Sequence, residues 1–268
     1  MPTQKFTQQD VDQLSTWFQR RYEAQFAWKS ACSAYQALPV LRGFWPMSAV
    51  AYTNPQGVDQ SGNGLHLINN NSADFGYTDL IPWVEFNGTT ETLSYTDTGA
   101  GGAFDIIGNE VYVDGSYQGL TFYAWVYFTN AISATEYIMA KYGAAANLSY
   151  RLIRLNTGEL RGTVTTDGAT AVNVTSVGTL AQATWYFTAL QFEPSTQLSV
   201  WINDTKATLA VGIPATIFDS TAAFVLGAQT TASNFMAGRQ SLDALCASFH
   251  ADTTILSVFH QTRAMFGI

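Results

Sequence analysis

Cleaving a glycosidic bond takes two carboxylates that face each other across it. The seven glutamates, Glu23, Glu85, Glu91, Glu110, Glu136, Glu159 and Glu193, do not alternate along any strand-like stretch. Glu85 and Glu91 come nearest to such a pair, but a turn separates them and Glu85 is expected to face solvent beside Phe86. His66, His250 and His260 have neither the spacing of metal ligands nor a serine and acid placed to make a triad. Gly99-Ala-Gly-Gly102 lacks the Lys-Ser/Thr that would follow in a phosphate loop and reads as a flexible turn. Cys32 and Cys246 fit no redox or metal spacing and read as small buried apolar residues. The formal net charge is −8 with no cluster of Lys and Arg, which excludes nucleic acid as a partner. The expectation is a protein that binds or builds and does not catalyse.

The elements that would position such a surface centre on Thr121-Phe-Tyr-Ala-Trp-Val-Tyr-Phe128. Its alternation puts Phe122, Ala124, Val126 and Phe128 on one face and Tyr123, Trp125 and Tyr127 on the other, so both faces must be covered. Short alternating segments from Phe44 onward, set off by Gly, Asn, Asp and Pro, predict strands at 65–68, 83–86, 92–95, 137–141, 150–156, 159–165, 185–192, 197–202, 223–227 and 241–249. Hairpin turns fall at Asn156-Thr-Gly158 and Glu193-Pro-Ser-Thr196, and Ile255, Val258, Phe259 and Thr262 mark a short terminal helix.

Before the strands, Val11, Leu14, Phe18, Tyr22 and Phe26 recur at helical steps. A capping box at Thr7 and Asp10, stapled by Phe6 and Val11, predicts a helix from Thr7 to Ala37, stopped by Leu38-Pro39. That stripe is expected to dock on the sandwich, leaving Trp17, Trp28 and Tyr35 on a second apolar face. Pro39 to Trp45 reads as a linker pivoting on Gly43. Only 12% of residues are charged, which suits either a β surface rich in Thr, Ser, Asn and Gln or a subunit with much of its surface buried against neighbours. Trp17, Phe18, Trp28 and Tyr35 are the candidate assembly residues. The first residues lack the pattern of a signal peptide, and no segment is long enough to span a bilayer.

Several stretches, in order, resemble the laminin-G-like, concanavalin-A-like jelly-roll family: Gly43-Phe-Trp-Pro-Met47, Asp59-Gln-Ser-Gly-Asn-Gly64, Val84-Glu-Phe-Asn-Gly88, Phe122-Tyr-Ala-Trp-Val126, Trp185-Tyr-Phe-Thr188 with Leu198-Ser-Val-Trp-Ile-Asn203, and Gly238-Arg-Gln-Ser-Leu-Asp243. The resemblance implies an all-β, two-sheet sandwich over 43–268, carried on an arm and linker over 1–42, with an unusual insertion from Thr96 to Gly119. It also implies calcium held by Asp59 and Asp243, with main-chain oxygens around Ser61 to Gly64; the glutamate usual after the second aspartate is Ala244 here. Against this stands an Asx-turn at Asp59, with Asp243 bonded to loop amides. Sugar recognition on such a scaffold points to Tyr77 and Trp83 with Asn69 to Asn71, and to Tyr142 with Asn147. The expected function is a non-enzymatic surface-display or structural protein of a virus particle, of bacteriophage type, whose arm contacts virion subunits or copies of itself. A soluble carbohydrate-binding lectin is the alternative.

Overall fold

The computed structural model describes residues 8–48, 57–78, 81–97, 99, 101–108, 119–230 and 233–268, with side chains from residue 12 onward. The chain opens with helix α1 (Gln8–Gln36). The cap read at Thr7 and Asp10, and the staple between Phe6 and Val11, lie outside the described residues and side chains. Fifteen strands follow: β1 (Leu41–Trp45), β2 (Ile68–Asn70), β3 (Asp74–Thr78), β4 (Ile81–Asn87), β5 (Thr92–Tyr95), β6 (Leu120–Phe128), β7 (Glu136–Tyr142), β8 (Leu148–Arg154), β9 (Glu159–Thr165), β10 (Ala171–Thr179), β11 (Trp185–Glu193), β12 (Gln197–Ile202), β13 (Thr205–Leu209), β14 (Phe224–Leu226) and β15 (Ala237–Cys246). Helix α2 (Asp252–Thr262) and a 3-10 turn (Arg263–Phe266) end the chain.

The strands form two antiparallel sheets. The larger runs β13-β12-β11-β6-β15-β4-β3, with β1 also paired to β15; the smaller runs β10-β9-β8-β7-β14-β5-β2. This is the two-sheet sandwich that the alternation predicts, with the jelly-roll form that the resemblance implies. On β6, Phe122, Ala124, Val126 and Phe128 enter the core between the sheets, packed with Trp45, Phe86, Leu152 and Phe192. Tyr123 and Trp125 point the other way, into a second core closed by the two helices. Phe266 stacks on Trp125 at 3.9 Å, and the stripe Ile255, Val258, Phe259 and Thr262 buries α2 on the larger sheet. Of the two cysteines, both free, Cys246 is buried and Cys32 half-buried.

Three expectations need correction. Pro39 to Trp45 is no linker: Leu41–Trp45 is a strand paired to β15, and Gly43 is needed because a Cβ there would lie 2.3 Å from the Trp45 ring. The faces of α1 are used the other way round. Tyr35 and Ala31 are fully buried and Trp28 is half-buried against the sandwich, whereas Leu14, Phe18, Tyr22 and Phe26 are exposed. Tyr35 stacks on Phe44 at 5.1 Å and meets Tyr123 edge-on at 5.9 Å, so it belongs to the fold. Strands β3, β10 and β13 are further pairings that the pattern does not mark. Each carries Gly, Asp, Lys or short polar residues at an outer position of its sheet, where burial does not select bulky side chains.

The insertion is tied down where it is described. Phe104 and Ile106 enter the main core. Asp97 and Asp105 bracket the buried Lys141 ammonium at 2.6 and 3.0 Å, and Gly102 N–H bonds back to the Gly99 carbonyl. The glycine turn is therefore held at both ends.

Candidate functional site: an open aromatic row on the larger sheet

The two helices cover only part of the outer face of the larger sheet. Beside them a row crosses four adjacent strands: Trp83 and Glu85 on β4, Arg239 on β15, Tyr127 on β6 and Trp185 on β11, all half-buried. Register makes the row. Glu85 lies opposite Arg239, Arg239 opposite Tyr127, and Tyr127 opposite Trp185. Adjacent strands are about 4.8 Å apart, so the row spans about 14 Å.

The Arg239 guanidinium sits 4.3 Å over the Trp83 ring and 5.5 Å from that of Tyr127, and its Nε donates to Glu85 at 2.9 Å. Tyr127 and Trp185 meet at 5.5 Å. Two glycines make the close approach possible. A Cβ on Gly238, at φ +158, would stand 2.2 Å from the Tyr127 carbonyl oxygen, and one on Gly76 would stand 2.3 Å from the Trp83 ring. Trp83 Nε1 donates to Thr78 Oγ1, which fixes the ring. At one end Asp74 lies opposite Glu85, and the Glu91 carboxyl is raised above its usual value by partial burial and by Asp74 and Glu85 nearby. Flat rings, a paired guanidinium and carboxylates at one end have the chemistry to stack on a flat, hydroxyl-bearing ligand and hydrogen-bond to it.

Of the residues expected to bind sugar, Trp83 stands in this row and Tyr77 is exposed on the neighbouring strand β3. Asn71 is exposed in the β2-β3 turn, with its amide donating to the Thr90 carbonyl. Tyr142 is not available. It is 5% exposed under Arg151, and its companion Asn147 is consumed by Ser220 and Thr221. Tyr127, Trp185 and Arg239 were missed because they sit on strands far apart in sequence. The signal that could have found them is the outward face of the core strand together with the arginine after Gly238.

Both aspartates expected to hold calcium flank β1, but they stand differently. Asp59 Oδ1 accepts from the Phe44 and Ser61 amides at 3.0 and 2.8 Å, and Oδ2 accepts from Ser61 Oγ and the Leu65 amide at 2.8 and 2.9 Å. This is the Asx-turn, and its lone pairs are spent on donors. Asp243, opposite Trp45, is fully buried, and neither of its oxygens has a hydrogen-bond partner. It does not bond loop amides, and burial holds its carboxyl well above the usual range. No group of three or more His, Cys, Asp or Glu that could hold a metal occurs among the described residues. With the Asp59 oxygens spent on main-chain and hydroxyl donors, Asp59 does not fit calcium and Asp243 stands alone. Chelator should leave the melting temperature unchanged, whereas Asp59→Asn should cost about 2 kcal/mol in urea unfolding, because it sets an amide donor against main-chain donors. A chelator-induced drop of several degrees, reversed by calcium, would restore the ion.

A sandwich of two antiparallel sheets in this order is a concanavalin A-like architecture. The chain belongs to the concanavalin A-like lectin/glucanase superfamily, whose laminin-G model matches residues 98–244, more than half of the sequence. No curated protein matches it. Among solved structures it is similar to the binding domain of Paraclostridial Mosquitocidal Protein 1 (TM-score 0.60, 11% identity, 82% of this chain and 51% of that one). It is also similar to domain 4 of AbnA, an extracellular arabinanase of Geobacillus stearothermophilus, in complex with arabinotriose (TM-score 0.55, 12% identity, 81% and 97%). A third is botulinum neurotoxin type C, whose cell entry depends on interaction with two ganglioside molecules (TM-score 0.54, 11% identity, 76% and 48%). The chain spans about half the length of the two toxin chains and nearly all of the arabinanase domain. At these identities the likeness carries the fold alone. No helix among the described residues is long and apolar enough to cross a membrane.

Proposed function

We propose that this chain is a non-enzymatic structural and display protein, a virion component of bacteriophage type, that presents a glycan-binding sandwich on a helical arm. The projecting half of α1 carries this reading. Residues 12–23 are exposed on every side, and Leu14, Trp17, Phe18, Tyr22 and Phe26 stand in solvent, Tyr22 at 71% exposure. A free helix of that length is marginal in water, and helices in proteins are held mainly by packing one face. Leu14, Phe18, Tyr22 and Phe26 form a ridge at four-residue steps, which packs into the groove of another helix crossing at roughly 50°. The partner is a neighbouring subunit of the particle or another copy of the chain. Light scattering of the full chain should give an oligomer, and the protein should co-purify with its particle. A monodisperse monomer absent from particles would sink the structural reading.

A soluble carbohydrate-binding lectin is the second reading, favoured by the aromatic row. Either way the row is expected to hold sugar. Trp83→Ala and Trp185→Ala should each weaken glycan binding about tenfold, close to the value of one good aromatic contact. Calorimetry against the strongest hit of a glycan array is the measurement, and unaltered affinity in both variants would move the site elsewhere.

A further inference from the structure

The outer face of the smaller sheet carries a second, chemically different surface. Tyr137, Arg151, Arg161, Thr163, Asn173 and Thr175 all point away from the core, as the inward positions Leu152, Leu160, Val164 and Val174 require. Arg151 lies opposite Thr163 and Arg161 opposite Ile153, so the two arginines are diagonal neighbours, with Cβ atoms about 7–8 Å apart.

Each guanidinium is oriented by its inner nitrogen. Arg151 Nε donates to Thr163 Oγ1 at 3.2 Å, which in turn donates to Asn173 Oδ1 at 2.8 Å; Arg161 Nε donates to Thr175 Oγ1 at 3.1 Å. Arg151 lies 4.1 Å over the Tyr142 ring and bonds the Tyr137 hydroxyl through one terminal nitrogen. Among the described residues its other terminal nitrogen, and both of those on Arg161, have no hydrogen-bond partner and are left for a ligand. Arg154 and Arg239 are paired with Glu136 and Glu85, whereas Arg151 and Arg161 make no salt bridge among the described residues. Glu159 lies two residues along from Arg161 on the same face of β9. It is held below its usual value first by the Thr157 hydroxyl, then by its own amide, and lastly by Arg161.

In a chain of net charge −8, two half-exposed guanidiniums fixed by hydroxyls and held in no salt bridge among the described residues are an anion fork. We propose that this face binds a carboxylate- or sulfate-bearing saccharide, with Arg151 and Arg161 on the oxyanion and the Asn173 amide on a neighbouring hydroxyl. The assignment deepens the glycan-binding reading and is separable from it, because the aromatic row lies on the opposite sheet.

The test is titration of the full chain with a uronic-acid disaccharide, a sulfated monosaccharide, their neutral counterparts and inorganic sulfate. At least one acidic saccharide should bind, weakening as salt is raised, while the neutral sugars do not bind at this face. Arg161→Gln and Arg151→Gln should each lower that affinity at least tenfold, Arg151→Lys nearly as much, and Glu159→Gln should raise it. Trp185→Ala should leave it unchanged, so loss of the aromatic-row site and loss of this one are told apart. Equal binding of acidic and neutral sugars, full affinity in both Gln variants, or binding of inorganic sulfate alone as an adventitious ion would each overturn the proposal.

Discussion

Removing residues 1–23 should leave a folded monomer that no longer assembles, whereas removing residues 1–38 should unfold it. The dividing line follows burial. Up to Glu23 every described side chain of α1 is exposed, while from Ala24 the helix settles on the sandwich and ends with Ala31, Tyr35 and Leu38 buried. Tyr35 covers Phe44 and Tyr123, both fully buried, and the Gln36 amide reaches the Gln60 carbonyl. Deleting one large buried aromatic costs about 3–5 kcal/mol, a substantial part of the 5–15 kcal/mol that holds a typical domain. Among the described side chains the shorter deletion removes only exposed surface, and each apolar side chain on it forgoes roughly 2 kcal/mol of burial until a partner covers it. Urea unfolding and light scattering on the two truncations provide the measurement. An intact, soluble 39–268 fragment would show that α1 is wholly an appendage. A 24–268 fragment that still oligomerises would place the assembly contact on the sandwich.

That division also shows where the sequence stops being readable. The extent of α1 is plain from its periodicity and from Pro39, but the docking face is chosen by closeness of approach. Ala24, Ala27 and Ala31 sit on the side of the helix that turns to the C-terminal segment, together with Trp28 and Tyr35, so the ridge of Leu14, Phe18, Tyr22 and Phe26 is left outside. A search for bulky stripes selects the wrong face. The sandwich is readable because a face with Phe122, Val126 and Phe128 against one with Tyr123 and Trp125 has no other use, and β5, β9 and β12 fall on their expected residues. The aromatic row is hardly readable. Trp83, Arg239, Tyr127 and Trp185 become neighbours only through the order β4-β15-β6-β11, which no local pattern contains. Asp59 reads correctly as a turn residue, but Asp243 misleads: an aspartate in a strand suggests a partner, and the fold gives it none.

Asp243 and His250 give the fold opposing responses to acid. His250 is 3% exposed, and its Nε2 lies 3.1 Å from the Pro39 carbonyl, which can only accept. The proton is therefore on Nε2, and Nδ1 accepts from the Tyr123 hydroxyl at 2.7 Å. Burial lowers its pKa from 6.5 to about 4, so the unfolded chain binds the proton more readily between those values. Its contribution is complete above pH 6.5 and falls by about 3 kcal/mol as the pH drops to 4. Asp243 has the opposite sign. Its carboxyl is raised by burial, so the folded state holds the proton that the unfolded state releases, and stability declines as the pH rises above the ordinary carboxylate value. Asp243→Asn should therefore be more stable than the native chain at pH 7, because the amide is neutral in both states and the folded chain no longer holds a proton that the unfolded chain releases, a cost of about 1.4 kcal/mol per pH unit above the ordinary carboxylate value. With the carboxyl removed, stability should fall more steeply from pH 6.5 to 4, because the histidine term is no longer offset. His250→Gln should reverse that slope and gain stability on acidification. Urea midpoints of the three proteins across this range decide the matter, and an Asp243→Asn protein less stable at pH 7 would mean that the carboxylate is charged and partnered in solution.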